Sequence, residues 1–308
     1  MKTVGITGTS GFIGKHVAAA FRDAGLTVRA FAREAASPDL IPLDYLDAES
    51  LARALDGVDA VVHIAGLAHV SPKSLDDPLS RYRESNVGLS VAMMKASIRA
   101  GVGQFVLLSS AGVLGQASPP GGFDDSSPAM PYDMYTISKF EAEQRVAEAA
   151  KGNLSLTILR PPMVYGRDAP GSYRRFCNWI DRGLPLPLAR IAARRSVLGI
   201  RNLCDLLVTI ATSARQIPHE FPTLLVADSE PITVAEFARQ IALVRGRRAR
   251  LLPIPPQLLE LGLRAAGLQE EYRRLALPFE LMPARARALF DWRPPYTTSE
   301  ELAWALVR

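Results

Sequence analysis

The sharpest chemical signal in this chain of 308 residues is a tyrosine placed four residues before a lysine, Tyr135-Thr-Ile-Ser-Lys139. The stretch from Met134 to Lys151 has helical patterning, and an i, i+4 spacing stacks two side chains on one helix face. An ammonium beside a phenol stabilises the phenolate and lowers its pKa from about 10. Tyr135 could then exchange a proton near neutral pH as a general acid and base. The same pair occurs on many helix surfaces, so its surroundings decide what it means.

The second signal is Thr7-Gly-Thr-Ser-Gly-Phe-Ile-Gly14, with glycines at 8, 11 and 14. One such glycine permits a tight turn, one lets backbone approach a pyrophosphate, and one lets a helix pack closely on a strand. Phe12 and Ile13 fall where that helix opens, and its free N–H groups and positive dipole end would face the phosphates. The motif follows a strand and precedes a helix, the context a dinucleotide loop requires. At the end of the second strand a carboxylate would hold the ribose 2′-hydroxyl of NAD, whereas an arginine suits the 2′-phosphate of NADP. That strand, Val28-Arg-Ala-Phe31, runs into Arg33, with no carboxylate before Glu34. The expected cofactor is therefore NADP, with NAD as the alternative.

These residues need a scaffold. Short apolar, β-branched runs predict strands at Lys2 to Thr7, Leu26 to Ala32, Ala60 to Ile64, Phe105 to Ser109 and Leu154 to Leu159. Helical periodicity fills the intervals at Gly14 to Ala24, Ser50 to Leu55, Asn86 to Ala100 and Met134 to Lys151. The alternation implies an α/β fold, a Rossmann-type doubly wound parallel sheet covered on both faces. Around and beyond residue 165 proline and glycine cluster, at Pro161-Pro162, Pro170-Gly171, Gly183 to Pro187 and Leu252 to Pro256. Residues 1–165 are expected to form a dinucleotide-binding domain, and 166–308 mainly a smaller substrate-binding lobe. Part of 195–212 is expected to pack back on the first domain.

Composition narrows the class. Apolar residues make up 48% and charged residues 22% of the chain, as in ordinary globular proteins. No apolar run reaches the roughly 18 residues that span a bilayer, and the front lacks the features of a signal peptide. The expected location is the cytoplasm, without a membrane partner. The leucine stripe Leu258, Leu259, Leu261, Leu263 is read as lobe core. Cys177 and Cys204 are expected as unpaired thiols, and His16, His63, His69 and His219 form no metal signature. The net charge of +5 is most concentrated at Arg245-Gly-Arg-Arg-Ala-Arg250. No nucleic-acid module accompanies that run, so it reads as a solvated basic turn, and the excess charge could steer an anionic substrate.

Taken together, Thr7 to Gly14, Val62-His-Ile-Ala-Gly-Leu67, Asn86-Val-Gly, Phe105 to Gly115 and Tyr135 to Lys139 resemble the extended short-chain dehydrogenase/reductases. Within them, the closest pattern is that of the UDP-galactose 4-epimerase group and related nucleotide-sugar reductases. The resemblance implies that Ser110, Tyr135 and Lys139 are catalytic: Ser110 hydrogen-bonds the reacting oxygen, Tyr135 moves the proton, and Lys139 binds the nicotinamide ribose and tunes Tyr135. It implies that Asp44-Tyr45 receive the adenine, that Ala65-Gly66 form a small strand end under the cofactor, and that Asn86 supports the site. Asn86 could equally cap the helix that follows it. Arg195 matches an arginine that binds the diphosphate, a role suited to a planar guanidinium. Ser172 falls where relatives place an asparagine near the nucleotide, and Arg273 or Arg274 is the candidate for a second phosphate ligand from the smaller lobe. A homodimer through helices flanking the sheet is also implied.

The resemblance narrows the reaction as well. Relatives that expel water carry an Asp-Glu pair where this chain has Ala111-Gly112, and decarboxylating relatives keep a glutamate at the second position. What remains is hydride transfer at sugar C4 of a UDP-hexose or UDP-N-acetylhexosamine, either 4-epimerisation or 4-keto reduction. Ala68 and Pro161-Pro-Met-Val-Tyr-Gly166 depart from the strict epimerase pattern. The pattern overall resembles bacterial enzymes that process sugars for surface polysaccharides. Two alternatives stand beside this reading: a reductase of apolar carbonyl compounds, and a noncatalytic NADP-binding module.

Overall fold

A computed structural model describes residues 1–34, 39–68, 76–213 and 222–307. His69 and His219 lie outside the described residues. The chain opens with β1 (Thr3–Thr7), α1 (Phe12–Asp23), β2 (Thr27–Ala32), β3 (Leu40–Pro42), α2 (Ala48–Ala54) and β4 (Ala60–His63). Next come α3 (Pro78–Tyr82), a π-helical turn (Arg83–Gly88), α4 (Leu89–Arg99), β5 (Gln104–Leu108), β6 (Phe123–Asp124), α5 (Met134–Ala150) and β7 (Ser155–Arg160). The remainder runs β8 (Met163–Tyr165), α6 (Gly171–Asp181), β9 (Arg194–Arg195), β10 (Val197–Gly199), α7 (Ile200–Thr212), β11 (Thr223–Leu225) and β12 (Ile232–Thr233). It closes with α8 (Val234–Val244), α9 (Pro256–Ala265), α10 (Gln269–Ala276), β13 (Leu281–Met282), α11 (Arg285–Phe290) and α12 (Thr298–Leu306).

Seven strands form one sheet in the order β11-β7-β5-β4-β1-β2-β3, and every pairing is parallel. Val4 pairs with both Val28 and Ala60, and Val106 with both Val62 and Thr157. Such strands are apolar because both faces are covered. One face packs Val4, Ile6 and Val62 against Val17 and Phe21 of α1 and Leu203, Leu206 and Leu207 of α7. The opposite face packs Val61, Phe105 and Leu107 against Leu51 of α2, Met93 of α4 and Val146 of α5. The fold is thus a doubly wound α/β sheet. A separate cluster joins α6, α8, α9 and α12.

Strand order reverses between β1 and β4, and ligands of such sheets bind in the crevice at that switch point, beyond the carboxyl ends of the strands. The strands carrying the two ends of the crevice are those that finish at Thr7 and His63.

Several details depart from expectation. β3 and β11 join the sheet although three residues each leave no readable alternation. α1 begins at Phe12, two residues ahead of Gly14, and the helix expected from Asn86 is entered earlier, through the π-helical turn. The leucine stripe divides: Leu259 is buried and Leu263 packs against the core, but Leu258 and Leu261 are 60% and 65% exposed. Lobe core is therefore the right reading for two of the four. Cys177 and Cys204 are free, buried thiols.

Candidate active site

The glycine loop is tight for steric reasons. Gly8 has φ +76° and a Cβ there would lie 2.8 Å from the Ala65 nitrogen; a Cβ on Gly14 would run into the Gly8 carbonyl oxygen. Gly11 stands at the N-cap of α1 with no side-chain cap, and no acidic residue occupies the first turn. Phe12 and Ile13 follow, half-buried. A helix end left open and positive in this way suits a pyrophosphate, so the residues present fit a dinucleotide.

Thr7 ties the two sides of the crevice together. Its hydroxyl accepts from the backbone nitrogens of Ile64 (3.1 Å) and Ala65 (3.2 Å) and lies 2.8 Å from His63 Nδ1. His63 Nε2 is 3.0 Å from Ser90 Oγ, which donates to the Asn86 carbonyl at 2.6 Å. Because Ser90 spends its proton on Asn86, Nε2 must carry the imidazole proton and Nδ1 must accept from Thr7. Burial holds His63 neutral, with its pKa pushed down to about 3, and the Lys139 charge adds to the effect.

Asn86 is fully buried. Its Oδ1 accepts from Leu67 N (2.6 Å), while Nδ2 donates to Leu67 O (3.2 Å) and Ser138 Oγ (2.9 Å). Gly66 leaves it room, since a Cβ there would lie 2.7 Å from Asn86 Oδ1. Asn86 sits inside a continuous helical path and caps nothing; it clamps the end of the β4 segment to α5. None of Thr7, His63, Ser90 and Ser138 stood out individually in the sequence, although Thr7, His63 and Ser138 lie inside segments that did.

The region beyond β2 and β3 is less closed. Arg33 is exposed, and its charge acts on the half-buried Tyr45, whose phenol burial pushes up to about 12. Asp44 is exposed and its Oδ1 accepts from Leu46 N at 2.9 Å, a local turn contact.

Of the three residues that the resemblance groups, Ser110 begins a turn packed against α5, which carries Tyr135, while Lys139 has another partner. Ser110 caps a short 3-10 turn, accepting from Gly112 N at 3.1 Å, and its side chain acts on the Tyr135 phenol. Tyr135 lies in the first turn of α5, half-buried, 6.1 Å centroid to centroid from the Tyr82 ring. Its pKa is pushed up to about 12 rather than down. Burial dominates, Ser110 opposes it, and Asp133, Tyr82 and Tyr132 add to it. Lys139 Nζ instead donates to the Leu108 carbonyl at 2.6 Å; burial lowers its pKa to about 8, against the pull of Glu143. The expected easing of the phenol's ionisation is therefore absent without a ligand. α5 is fixed by an Asp133–Thr136 capping box and by a buried bidentate pair, Arg160 to Glu143 at 3.0 and 2.6 Å.

Arg195 approaches from the other side. It is half-buried on β9, donates to Leu277 O at 2.6 Å, and stands 5.3 Å over the Phe279 ring. Burial lowers its pKa to about 10, with Tyr132 opposing. Burial raises the pKa of the Tyr132 phenol, three residues before Tyr135; the charges of Asp133 and Glu270 add to the shift and those of Arg274 and Arg195 oppose it. Of the two arginines on α10, Arg273 is tied to Glu270 at 3.0 Å. Ser172 is exposed at the start of α6 and bonds Arg175 at 3.4 Å; no contact brings it to Tyr135 or Arg195. Tyr132 has no counterpart in the sequence reading.

A model of the NAD dependent epimerase/dehydratase family matches residues 4–222. The chain is 29% identical over 307 residues to a UDP-glucose 4-epimerase of Vibrio cholerae, covering 97% of this chain and 93% of the relative. It is 26% identical over 337 residues to a 3 beta-hydroxysteroid dehydrogenase/Delta 5-->4-isomerase of Mycobacterium tuberculosis, covering 98% and 88%. In fold it is similar to the UDP-glucuronic acid 4-epimerase of Bacillus cereus solved with UDP-glucuronic acid and NAD, at a TM-score of 0.77 and 17% identity over 98% of this chain and 97% of that one.

Proposed function

The chain belongs to the NAD dependent epimerase/dehydratase family, and from that premise we propose that it is a nucleotide-sugar oxidoreductase or epimerase. It works by hydride transfer at C4 of a UDP-hexose or UDP-N-acetylhexosamine. The observation that carries the reading is that Arg195 stands over the Phe279 ring, which packs in one cluster with Ala111, Val113 and Leu114, the residues that follow Ser110. A proton-transfer residue and a diphosphate clamp then share one cleft.

On this reading residues 1–165 hold the dinucleotide and 166–308 mainly the sugar nucleotide. Gly8, Gly11, Phe12, Ile13 and Gly14 seat the pyrophosphate on the end of α1. Ala65 and Gly66 give a flat floor, and Tyr45 with Asp44 takes the adenine. Arg33 favours NADP, because a guanidinium chelates a phosphate with two hydrogen bonds. The nicotinamide, when bound, supplies the hydride acceptor and donor.

Tyr135 handles the proton at the sugar O4, and Ser110 orients that oxygen by hydrogen bonding. With its pKa near 12 the phenol is protonated at neutral pH, the state needed to protonate a carbonyl oxygen during reduction. Epimerisation also requires the ionised form, which a cation beside the phenol favours. Lys139, one helical turn away, is the chain's own source of that cation once it also contacts a ribose.

The protein acts, on this reading, in the cytoplasm, as a homodimer, on sugars destined for surface polysaccharide. The steroid-type relative raises a second reading, reduction of an apolar carbonyl compound, which gives Arg195 no task. Incubation with UDP-GlcNAc, UDP-Glc and a 4-keto-6-deoxy UDP-sugar, while NADPH absorbance is followed, separates the cases. Isomerisation without net NADPH loss marks an epimerase and stoichiometric loss marks a reductase. Turnover of none of these sugars overturns the proposal.

A further inference from the structure

The charge of this protein is concentrated on one part of its surface. Residues 171–190 and 240–268 contain nine arginines and two carboxylates, an excess of seven where the whole chain has an excess of five. The rest of the molecule is slightly acidic. Two carboxylates cannot neutralise nine guanidinium groups, and one of them, Asp181, already faces Arg245 at 3.9 Å.

Backbone contacts join these two segments into one surface. Leu186 N donates to Arg250 O and Leu252 N to Leu186 O, each at 2.8 Å, and Arg250 Nη1 reaches Gly183 O at 3.3 Å. Leu184 N bonds Trp179 O at 3.0 Å, tying in the end of α6. Large apolar side chains stand among the charges. Trp179 is 42% exposed, Leu184 and Leu252 are 41% exposed, and Leu258 and Leu261 of α9 more so. On α9, Leu258, Leu261 and Ala265 lie along one stripe, while Leu259 and Leu263 on the other side engage the core. The helix is apolar on both flanks, and Leu258 and Leu261 on its outer flank are largely exposed.

We propose that this surface docks the protein peripherally on an anionic lipid bilayer. The outer leucines of α9, with Trp179 and Leu252, enter the headgroup boundary. Arg247, Arg248 and Arg264 face lipid phosphates. A leucine and tryptophan face rimmed by arginine is the composition that lies in a membrane interface, and basic groups are drawn to anionic headgroups within a Debye length. Nothing in this requires a spanning element, and no helix among the described residues is long and apolar enough to be one. The basic turn is then part of a docking face, not merely solvated.

The test is co-sedimentation of the full chain with vesicles of phosphatidylcholine containing a quarter phosphatidylglycerol, against pure phosphatidylcholine vesicles. The expected result is binding to the anionic vesicles alone, weakened by added salt. The double variant Leu258→Gln/Leu261→Gln should lower the partition coefficient about tenfold, at an unchanged melting temperature. Arg247→Glu/Arg248→Glu, an independent perturbation of the same face, should act in the same direction. The proposal fails if the wild type stays in the supernatant or if neither variant weakens binding. It also fails if the leucine variant turns a dimer into a monomer in sedimentation velocity, since a second copy then covers the face. Binding of duplex nucleic acid that displaces the vesicles and survives the leucine changes would assign the surface to that partner instead.

Discussion

The Tyr135 phenol sits where burial works against its ionisation, and the Lys139 ammonium sits where burial works against its protonation. Both groups carry a stability consequence. The Lys139 pKa falls from 10.5 to about 8, so its charged form costs about 3 kcal/mol in the fold. Below pH 8 both folded and unfolded states hold the proton and the whole cost is present. From pH 8 to 10.5 the unfolded state binds more protons, so this group's share of stability rises with pH. Lys139→Met should therefore raise the melting temperature at pH 7 by roughly 5 °C and abolish turnover, and it should remove that rise; thermal scans at pH 7 and 9.5 check it. His63 has the same sign at lower pH. Its folded pKa of about 3 against about 6.5 unfolded gives stability that is full above 6.5 and lost as pH falls toward 3. Urea titration at pH 5 should show a loss of about 2 kcal/mol that His63→Asn lacks. Tyr135→Phe should lower turnover by about 10²–10⁴-fold while dinucleotide binding, followed by fluorescence titration, persists. Tyr135, Lys139 and the loop glycines were legible because each is fixed by local spacing. The direction of the phenol's shift was not, because it is set first by how deeply the phenol is buried, which spacing does not encode.

At the scale of the element, α1 and α5 do the positioning. α1 is placed by contact between Gly14 and Gly8; Gly14→Ala should push the helix away from the loop and weaken dinucleotide binding at least tenfold by titration, more than any loss of global stability. α5 is placed by the buried Arg160–Glu143 pair, whose side chains are 11% and 4% exposed. Arg160→Met strands the Glu143 carboxylate and should cost about 3–5 kcal/mol in denaturant unfolding, whereas Arg160→Met with Glu143→Leu should recover most of it. The long elements were readable from hydrophobic period and from glycine at their ends, as at Gly25 and Gly101. β3 and β11 were not, since strands of three residues are made by their neighbours' free edges. The π-helical turn was invisible for a related reason: it exists to bring Asn86 under Leu67, and that need arises only once the sheet is assembled.

At the scale of the molecule, the proposed diphosphate grip depends on Arg195 arriving on β9, which pairs with β12 across Arg195 and Ile232. Arg195→Glu should abolish binding of UDP-sugar in calorimetry and leave dinucleotide affinity within about twofold, because the two ligands are held by different segments. Retained UDP-sugar turnover in that variant would remove the diphosphate from the reading. The charge balance of the chain was legible as a sum, but its gathering on one face needed the fold, which lays residues 183–189 against 250–252.

β11 pairs with β7 at the sheet's edge, and α7 covers β1 and β4. Both elements lie beyond the portion of chain that carries the glycine loop and Tyr135. On the ribosome, the N-terminal half therefore emerges with one face of its sheet covered only by α1 and the outer edge of β7 unpaired. The cleft cannot mature in two successive steps; it closes only when residues past 225 are free to return, so arrest of synthesis before that point leaves an aggregation-prone nascent chain.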